Sequence, residues 1–423
     1  VSDNRAHAPL GFSEFVALAA ALMATQAIAI DAMLPAFPTI VHALAVANEN
    51  RGQWIVTAYM VGLGTGQLFW GLVSDRLGRR PVLLAGVALY IGAALLCGLS
   101  VSFHALLGWR FLHGLAAASV VVVRSVIRDQ YSGRHMARVM SLTFVVFLTI
   151  PMIAPSLGQL ILRIGTWREI FMVCAAFAAV VWVWAFLRLP ETLHPEYRMT
   201  LAPRQIARAV RLVLGNRLSL GYACAMTVMF GSILAYVGMV QQIFADTFQR
   251  ASLMPLMFAL CAGFMGLAAF LNSRLVERLG MRRISHTALL TFIAVSALHS
   301  LIAFLGLEQV GTFVVLQSAT LACIGFSTSN FGAMAMEPVG SVAGVAASLQ
   351  GFISTFGGAL VGALIGRQFN GNTLSLAAGT LICGLVSLGC VLAVERGRLF
   401  RQQHAHEQPH ASDTPAGLDA PRT

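Results

Sequence analysis

The sequence predicts an all-α integral membrane protein with twelve transmembrane helices in two six-helix pseudo-repeats. Three observations predict it. The 423 residues are 57% hydrophobic and only 11% charged, with a mean hydropathy of +0.77, whereas a soluble domain carries roughly a quarter charged residues. No water-soluble fold of this length hides that much apolar surface. Twelve apolar runs are each long enough to cross about 30 Å of hydrocarbon as a helix. An arginine-rich turn after the second run returns, altered, after the eighth, 202 residues later.

The runs fall at about 14–40, 52–73, 81–100, 103–127, 139–162, 168–189, 218–244, 253–274, 284–305, 310–334, 341–366 and 373–394. An even number of crossings puts both ends on one side, and charge says which. All 28 basic residues are arginine, and 21 of them fall on one side of the twelve crossings. Only Arg51, Arg163, Arg168, Arg250 and Arg367 fall on the other, with Arg110 and Arg124 inside runs. Positive charge is retained in the cytoplasm, so both termini are expected there. The same dispersal argues against nucleic acid as a partner, because no contiguous basic face is left for phosphates.

This gives a cytoplasmic N-terminus over 1–13, a six-helix half over 14–189, a cytoplasmic linker over 190–216, a second half over 217–395 and a disordered tail over 396–423. The linker holds an amphipathic stretch around Pro203–Leu214. No cleavable leader is expected, since the first run extends past any signal-peptide length. His404, His406 and His410 in the tail read as a solvated segment rather than a metal site. The seven cysteines all lie inside apolar runs without a C-x-x-C pair, and are expected to be small core residues without disulfides.

Polar groups at membrane depth need a reason, because a central charge costs about 2.5–3.5 kcal/mol on insertion scales. Three charges sit well inside runs: Asp31, Arg110 and Arg124. Asp31 lies about two-thirds along an outward run, and Arg110 about 10 Å from the outer end of an inward one, so both fall in the outer half at similar depth. A carboxylate facing a buried guanidinium is held ionised, and losing that partner drives it toward neutrality. Such a group can take and release a proton; a static ion pair is the plainer alternative. Arg124 is about one turn from the cytoplasmic end and can snorkel there.

The turn Gly71-Leu72-Val73-Ser74-Asp75-Arg76-Leu77-Gly78-Arg79-Arg80 is the most specific signal. Its glycines allow a tight turn, and its arginines can pair with an acid such as Asp129, forming a charge cluster that latches one conformation. Pro35 and Pro38 are expected to kink the end of the first helix, and Pro151, Pro155 and Gly158 to interrupt the fifth. Gly62, Gly64 and Gly66, with Gly358, Gly362 and Gly366, offer smooth faces for close helix contacts. Tyr59, Gln67, Tyr236, Gln241 and Asn330 are candidate polar handles in an otherwise apolar cavity.

With these residues in place, the chain resembles the major facilitator superfamily, and within it the bacterial bicyclomycin- and chloramphenicol-resistance exporters of the proton-coupled drug antiporter group. The likeness covers about residues 14–395. It rests on the Gly71–Arg80 turn, on Ile30-Asp31-Ala32-Met33-Leu34-Pro35-Ala36-Phe37-Pro38 and on Arg110-Phe111-Leu112-His113-Gly114-Leu115-Ala116-Ala117-Ala118. Arg128-Asp129, Ala154-Pro155-Ser156-Leu157-Gly158, Pro190-Glu191-Thr192-Leu193 and Ser329-Asn330 add to it.

The resemblance implies the major facilitator fold and alternating-access antiport of small amphipathic compounds against protons, with the gradient in place of any cofactor. It also implies a monomer in the bacterial inner membrane. It carries proton coupling to Asp31 and Arg110, and the antiporter motif of the fifth helix to Pro155 and Gly158. The chain departs from the pattern at Gln159, where a second glycine is usual, and at Met23, where some relatives carry another acid. Arg124 stands where relatives can be uncharged, which makes it a substrate-cavity candidate. An enzyme is not expected: H-E-x-x-H, G-x-S-x-G and P-loop patterns are missing. The fold alone leaves open an importer or symporter of a small metabolite.

Overall fold

The computed structural model describes residues 10–131, 133–193, 196 and 203–400, and among these it contains helices and no strand. Ten helical stretches are long and apolar enough to cross a membrane. The longest, Val310–Gly366, is two helices joined at the 3-10 turn Glu337–Val342, where Val339 leaves helical geometry. The 32-residue helix Gly133–Ile164, whose apolar part is Thr149–Ile164, supplies one more. The result is twelve crossings.

The first crossing is α1 (Phe12–Asp31), a 3-10 turn over Leu34–Ala36, and α2 (Phe37–Ala43). Pro35 causes the break. It has no N–H to offer the Asp31 carbonyl four residues back, so the helix ends there and restarts after the turn. Next come α3 (Trp54–Leu77) and α4 (Arg79–Gly98). The fourth crossing is α5 (Phe103–Ala117) continued by α6 (Val121–Gln130), followed by α7 (Gly133–Ile164) and α8 (Trp167–Arg188).

Pro151 and Pro155 lie inside α7 without interrupting it, which corrects the expected break. In a bundle, neighbouring helices and local adjustment satisfy the carbonyls that proline leaves free. The linker carries α9 (Pro203–Gly215), the amphipathic stretch expected there, with Ala209 and Val213 buried. The second half is α10 (Arg217–Gln242), α11 (Met254–Leu279), α12 (Met281–Phe304), α13 (Val310–Met336), α14 (Ala343–Gly366) and α15 (Leu374–Val394).

Local chemistry sets the helix ends. Ser102 and Asn216 cap α5 and α10 with their side-chain oxygens, and Thr166 with Glu169 forms a capping box on α8. Gly78 (φ 109°) and Gly280 (φ 81°) each form the whole connection between two helices. A side chain at such φ is strained, so these two positions need glycine.

The helices pack as two groups. In the first half α3 packs on α5, α4 on α8 and α5, and α7 on α1; in the second, α10 packs on α14, α15 and α13, and α13 on α11 and α12. The halves meet along two seams, α3 on α14 and α7 on α11. Gly62 and Gly66 turn out to serve the first half internally: a methyl at either would strike the α5 backbone at Phe111 or Leu115. Gly64 faces Phe356 of α14 across the seam, and Gly366 faces Gln53. All seven cysteines are free, five buried and two half-buried. Of the tail, residues 396–400 are described, with the Phe400 amide donating to His286 Nδ1 at 3.1 Å. His404, His406 and His410 lie outside the described residues.

Candidate functional site

Because α1 stops at Asp31, carbonyls of its last turn have no helical partner. Arg110 of α5 answers one of them. Its Nη1 donates to the Ala29 carbonyl at 3.1 Å and its Nε to the Ile55 carbonyl at 3.2 Å. The guanidinium carbon lies 4.4 Å from the centre of the Tyr59 ring, a cation–π contact worth about 2 kcal/mol when desolvated. Tyr59 donates to the Gln26 carbonyl at 3.2 Å and Tyr90 to the Thr25 carbonyl at 2.8 Å. The end of α1 is thus held by three side chains from α3, α4 and α5.

Asp31 is buried at this end, 6% exposed. Among the described residues it forms no ion pair with Arg110, which corrects the expected face-to-face pair. Arg110 directs its donors to the Ala29 carbonyl of α1 and the Ile55 carbonyl of α3, and among the described residues its Nη2 has no partner. His113 completes the group, with Nδ1 3.3 Å from Arg110 Nη1 and its ring 4.2 Å from that of Tyr90. Sequence reasoning quoted His113 only inside a motif. Its spacing of three from Arg110, one face of a helix, was the available signal.

Gly158 of α7 lies against the same place, since a methyl there would meet the Ala32 carbonyl at 2.0 Å. Gly158 therefore belongs to the packing of α7 on the residue that follows Asp31, and Pro155 is buried one turn earlier on the same helix. Gly158→Ala is expected to displace the end of α1 and to reduce transport by at least about tenfold, with a fall in Tm; overpacking of this kind costs about 1–3 kcal/mol. Wild-type transport rate and Tm in the alanine variant would remove this role.

At the linker end the turn closes on acids. Arg79, 4% exposed at its side chain, pairs with Asp75 at 2.5 Å and with Asp129 of α6 at 3.1 Å, and donates to Ser74 Oγ at 2.7 Å. Glu191 caps the start of α4, accepting from the Arg79 and Arg80 amides at 2.9 and 3.2 Å. An acid at a helix N-terminus is favourably placed. Arg80 donates to the Phe186 carbonyl at 2.7 Å.

Asp75, Gly78, Arg79, Arg80 and Asp129 therefore come together as expected, joined by Ser74 and Glu191. Gly71 instead faces Ser348 of α14, and Arg76 is exposed. A second cluster repeats the design: Arg282 pairs with Glu395 at 2.8 Å, and Tyr222 donates to Glu395 at 2.6 Å. Glu191 follows the sixth crossing and Glu395 the twelfth, so the repeat could have identified both.

At the opposite end, amides seal the seam between the halves. Gln53 donates to Gln242 Oε1 at 2.7 Å and to the Gly366 carbonyl at 3.1 Å. Gln242 donates to Asn50 Oδ1 at 2.9 Å, and Asn50 to the Phe369 carbonyl at 2.8 Å. Of the residues in this seal, Gly366 alone is among the close-contact glycines expected from the sequence; the three amides Asn50, Gln53 and Gln242 are not.

The six expected cavity residues do not converge. Tyr59, Tyr236 and Asn330 are sealed in their own halves, Tyr236 stacked on Phe258 and Asn330 bonded to Asn272 at 2.9 Å. Large side chains fill those cores. Gln241 is buried with Oε1 unpartnered. Gln67 crosses the α3–α14 seam to Thr355 at 3.3 Å. Arg124 is exposed on α6 together with Val121 and Arg128, a stripe at three- and four-residue spacing. The three positions share one face of the helix near its linker end.

Two helical halves that meet along two seams, with an amide seal at one end and charge clusters at the other, make a polytopic membrane transporter. The chain belongs to the Major Facilitator Superfamily, whose sequence profile matches residues 16–362. It is 30% identical to the Bicyclomycin resistance protein homolog of Haemophilus influenzae, over 79% of this chain and 84% of that one. It is also 30% identical to Multidrug resistance protein MdtL of Escherichia coli, over 94% of this chain and 99% of that one. The crystal structure of a D-xylose-proton symporter superposes with a TM-score of 0.68 at 14% identity, covering 91% of this chain and 98% of the other, which fixes the fold alone. The expected fold class holds, and the protein is a transporter of small molecules rather than an enzyme.

Proposed function

We propose that this protein is a proton-coupled exporter that expels small amphipathic compounds or drugs across the bacterial inner membrane by alternating access. The observation that carries the reading is Asp31: a buried carboxylate with no ionic partner among the described residues, at the broken end of α1, beside a guanidinium fastened to the same turn. An acid so placed is ready to exchange a proton when its surroundings change. Relatives named for multidrug and bicyclomycin resistance support the substrate class. The arginine asymmetry supports cytoplasmic termini, which makes the linker end cytoplasmic and the amide seal periplasmic.

On this reading Asp31 and Arg110 couple protons, and the Asp75–Arg79–Asp129 cluster latches. Gln67 and Arg124 are the cavity handles. The protein works as a monomer with the proton gradient alone. The test is a drug-accumulation panel in cells expressing the protein, with and without an uncoupler. Lower accumulation of at least one compound, restored by the uncoupler, is expected. Gradient-driven uptake instead would establish an importer.

A further inference from the structure

Outside the regions above, one buried pair of ionisable side chains lies in the second half. His299, near the end of α12, and Glu308, in the loop before α13, approach to 2.6 Å between Nε2 and Oε1, with side chains 2% and 6% exposed. Thr373, just before α15, donates its hydroxyl to the other carboxylate oxygen. These residues clasp the far ends of α12, α13 and α15.

The clasp is incomplete. His299 Nε2 and Glu308 Oε1 are pressed together without the alignment of a hydrogen bond, and Ser296 Oγ, one turn earlier, is also unpartnered. A carboxylate beside a neutral imidazole leaves net negative charge in a poorly solvating place. A proton on the ring neutralises the site and adds a Coulomb attraction that needs no alignment. Among the described residues, Tyr236 of α10, Cys261 of α11, Cys323 of α13, Cys383 of α15, Asp246 and Arg250 in the loop after α10 and Arg367 after α14 form no hydrogen bond or ion pair with His299 or Glu308.

The clasp is connected to the seam. The His299 ring meets Phe313 edge-on at 5.7 Å, and Phe313 packs on Phe244 at 5.9 Å and Phe248 at 5.5 Å. These two follow Gln242, the residue that holds Asn50 and accepts from Gln53.

We propose that Glu308 and His299 form a second proton-binding site, reached from the periplasm through the exposed loop residues Leu305–Leu307. A proton bound there tightens the clasp and holds the amide seam shut. The sidedness rests on the exporter reading above, but the site is distinct from Asp31. In an antiporter the sign is productive, because closure after outside protonation turns the carrier inward.

The test uses the full chain in lipid nanodiscs, spin-labelled at Ala47→Cys and Ser252→Cys. Both positions are exposed at the seam end, one in each half. Pulsed EPR distances are compared at about pH 8 and about pH 5.5, a span across which free imidazole titrates. Acidification should raise the short-distance population about threefold. Glu308→Gln and His299→Gln should no longer respond, while Asp31→Asn should respond like the parent. A retained response in His299→Gln, which can still hydrogen-bond but cannot become charged, overturns the proposal even if Glu308→Gln fails to fold. So does loss of the response in Asp31→Asn. Uncoupler-sensitive export by Asp31→Asn would instead sink the coupling role of Asp31 and leave the clasp standing.

Discussion

Asp31→Asn is expected to reduce gradient-driven export to the level of cells lacking the protein, while substrate still binds. The asparagine is a permanent mimic of the protonated acid. It fits the same buried pocket against α7 and leaves Arg110 on the Ala29 and Ile55 carbonyls, so folding should survive. On the proposed coupling role, what disappears is the ability to release a proton on one side and regain it on the other. Substrate binding to the wild type should vary with pH, and binding to the variant should vary less. Export measured as efflux from preloaded vesicles, alongside equilibrium binding at two pH values, checks both halves of the statement. Wild-type efflux from Asp31→Asn that still collapses with an uncoupler would place the coupling proton on another group.

Arg79→Gln is expected to have the next largest effect, on turnover rather than on affinity. Arg79 is buried and shared by Asp75 and Asp129. Removing a buried partner and leaving two carboxylates uncompensated costs about 3 kcal/mol, which corresponds to about a hundredfold shift between a state that needs the cluster and one that does not. Its partners Asp75, Ser74 and Asp129 come from α3 and α6 of the first half, so the exposed face of α6 is reached only through Asp129. Turnover should fall by about tenfold or more, with substrate Kd changed less than about threefold. The milder Asp75→Asn should slow transport in the same direction. Loss of binding with normal turnover of what remains bound would argue against a latch.

The fold was legible because the signals for it are local and repeated. Apolar runs of spanning length, arginines kept to one side and a glycine turn returning after 202 residues all survive in the primary sequence. Pro35 announced the broken first helix in the same way. Pro155 misled, because proline weakens a helix only where nothing else satisfies the freed carbonyl, and that depends on neighbours the sequence does not reveal. At the candidate site the same division holds. Asp31, Arg110 and the turn stood out as charges or glycines where apolar residues were expected. Tyr59 and Tyr236 looked like cavity handles because a tyrosine has one polar atom, yet their rings decide their place and go to the core. His299 and Glu308 were passed over because each sits near a run's end, where a polar residue needs no explanation. Only folding shows that the ends of α12, α13 and α15 enclose them.

The linker helix α9 packs on α10 and α14, which both belong to the second half. Among the described residues its main partners therefore lie in the second half, and from the first half Leu68 of α3 reaches the apolar cluster that contains Val213. A polypeptide cut between Leu193 and Pro203 would leave each half with its own helix contacts intact, and the two would still find each other on α3–α14, on α7–α11 and through the amides of Asn50, Gln53 and Gln242. In that sense the molecule is a heterodimer that happens to be encoded as one chain. The peptide link holds the two subunits at a high effective concentration. Co-expressed halves are the natural way to vary one surface of this pseudo-dimer without touching the other.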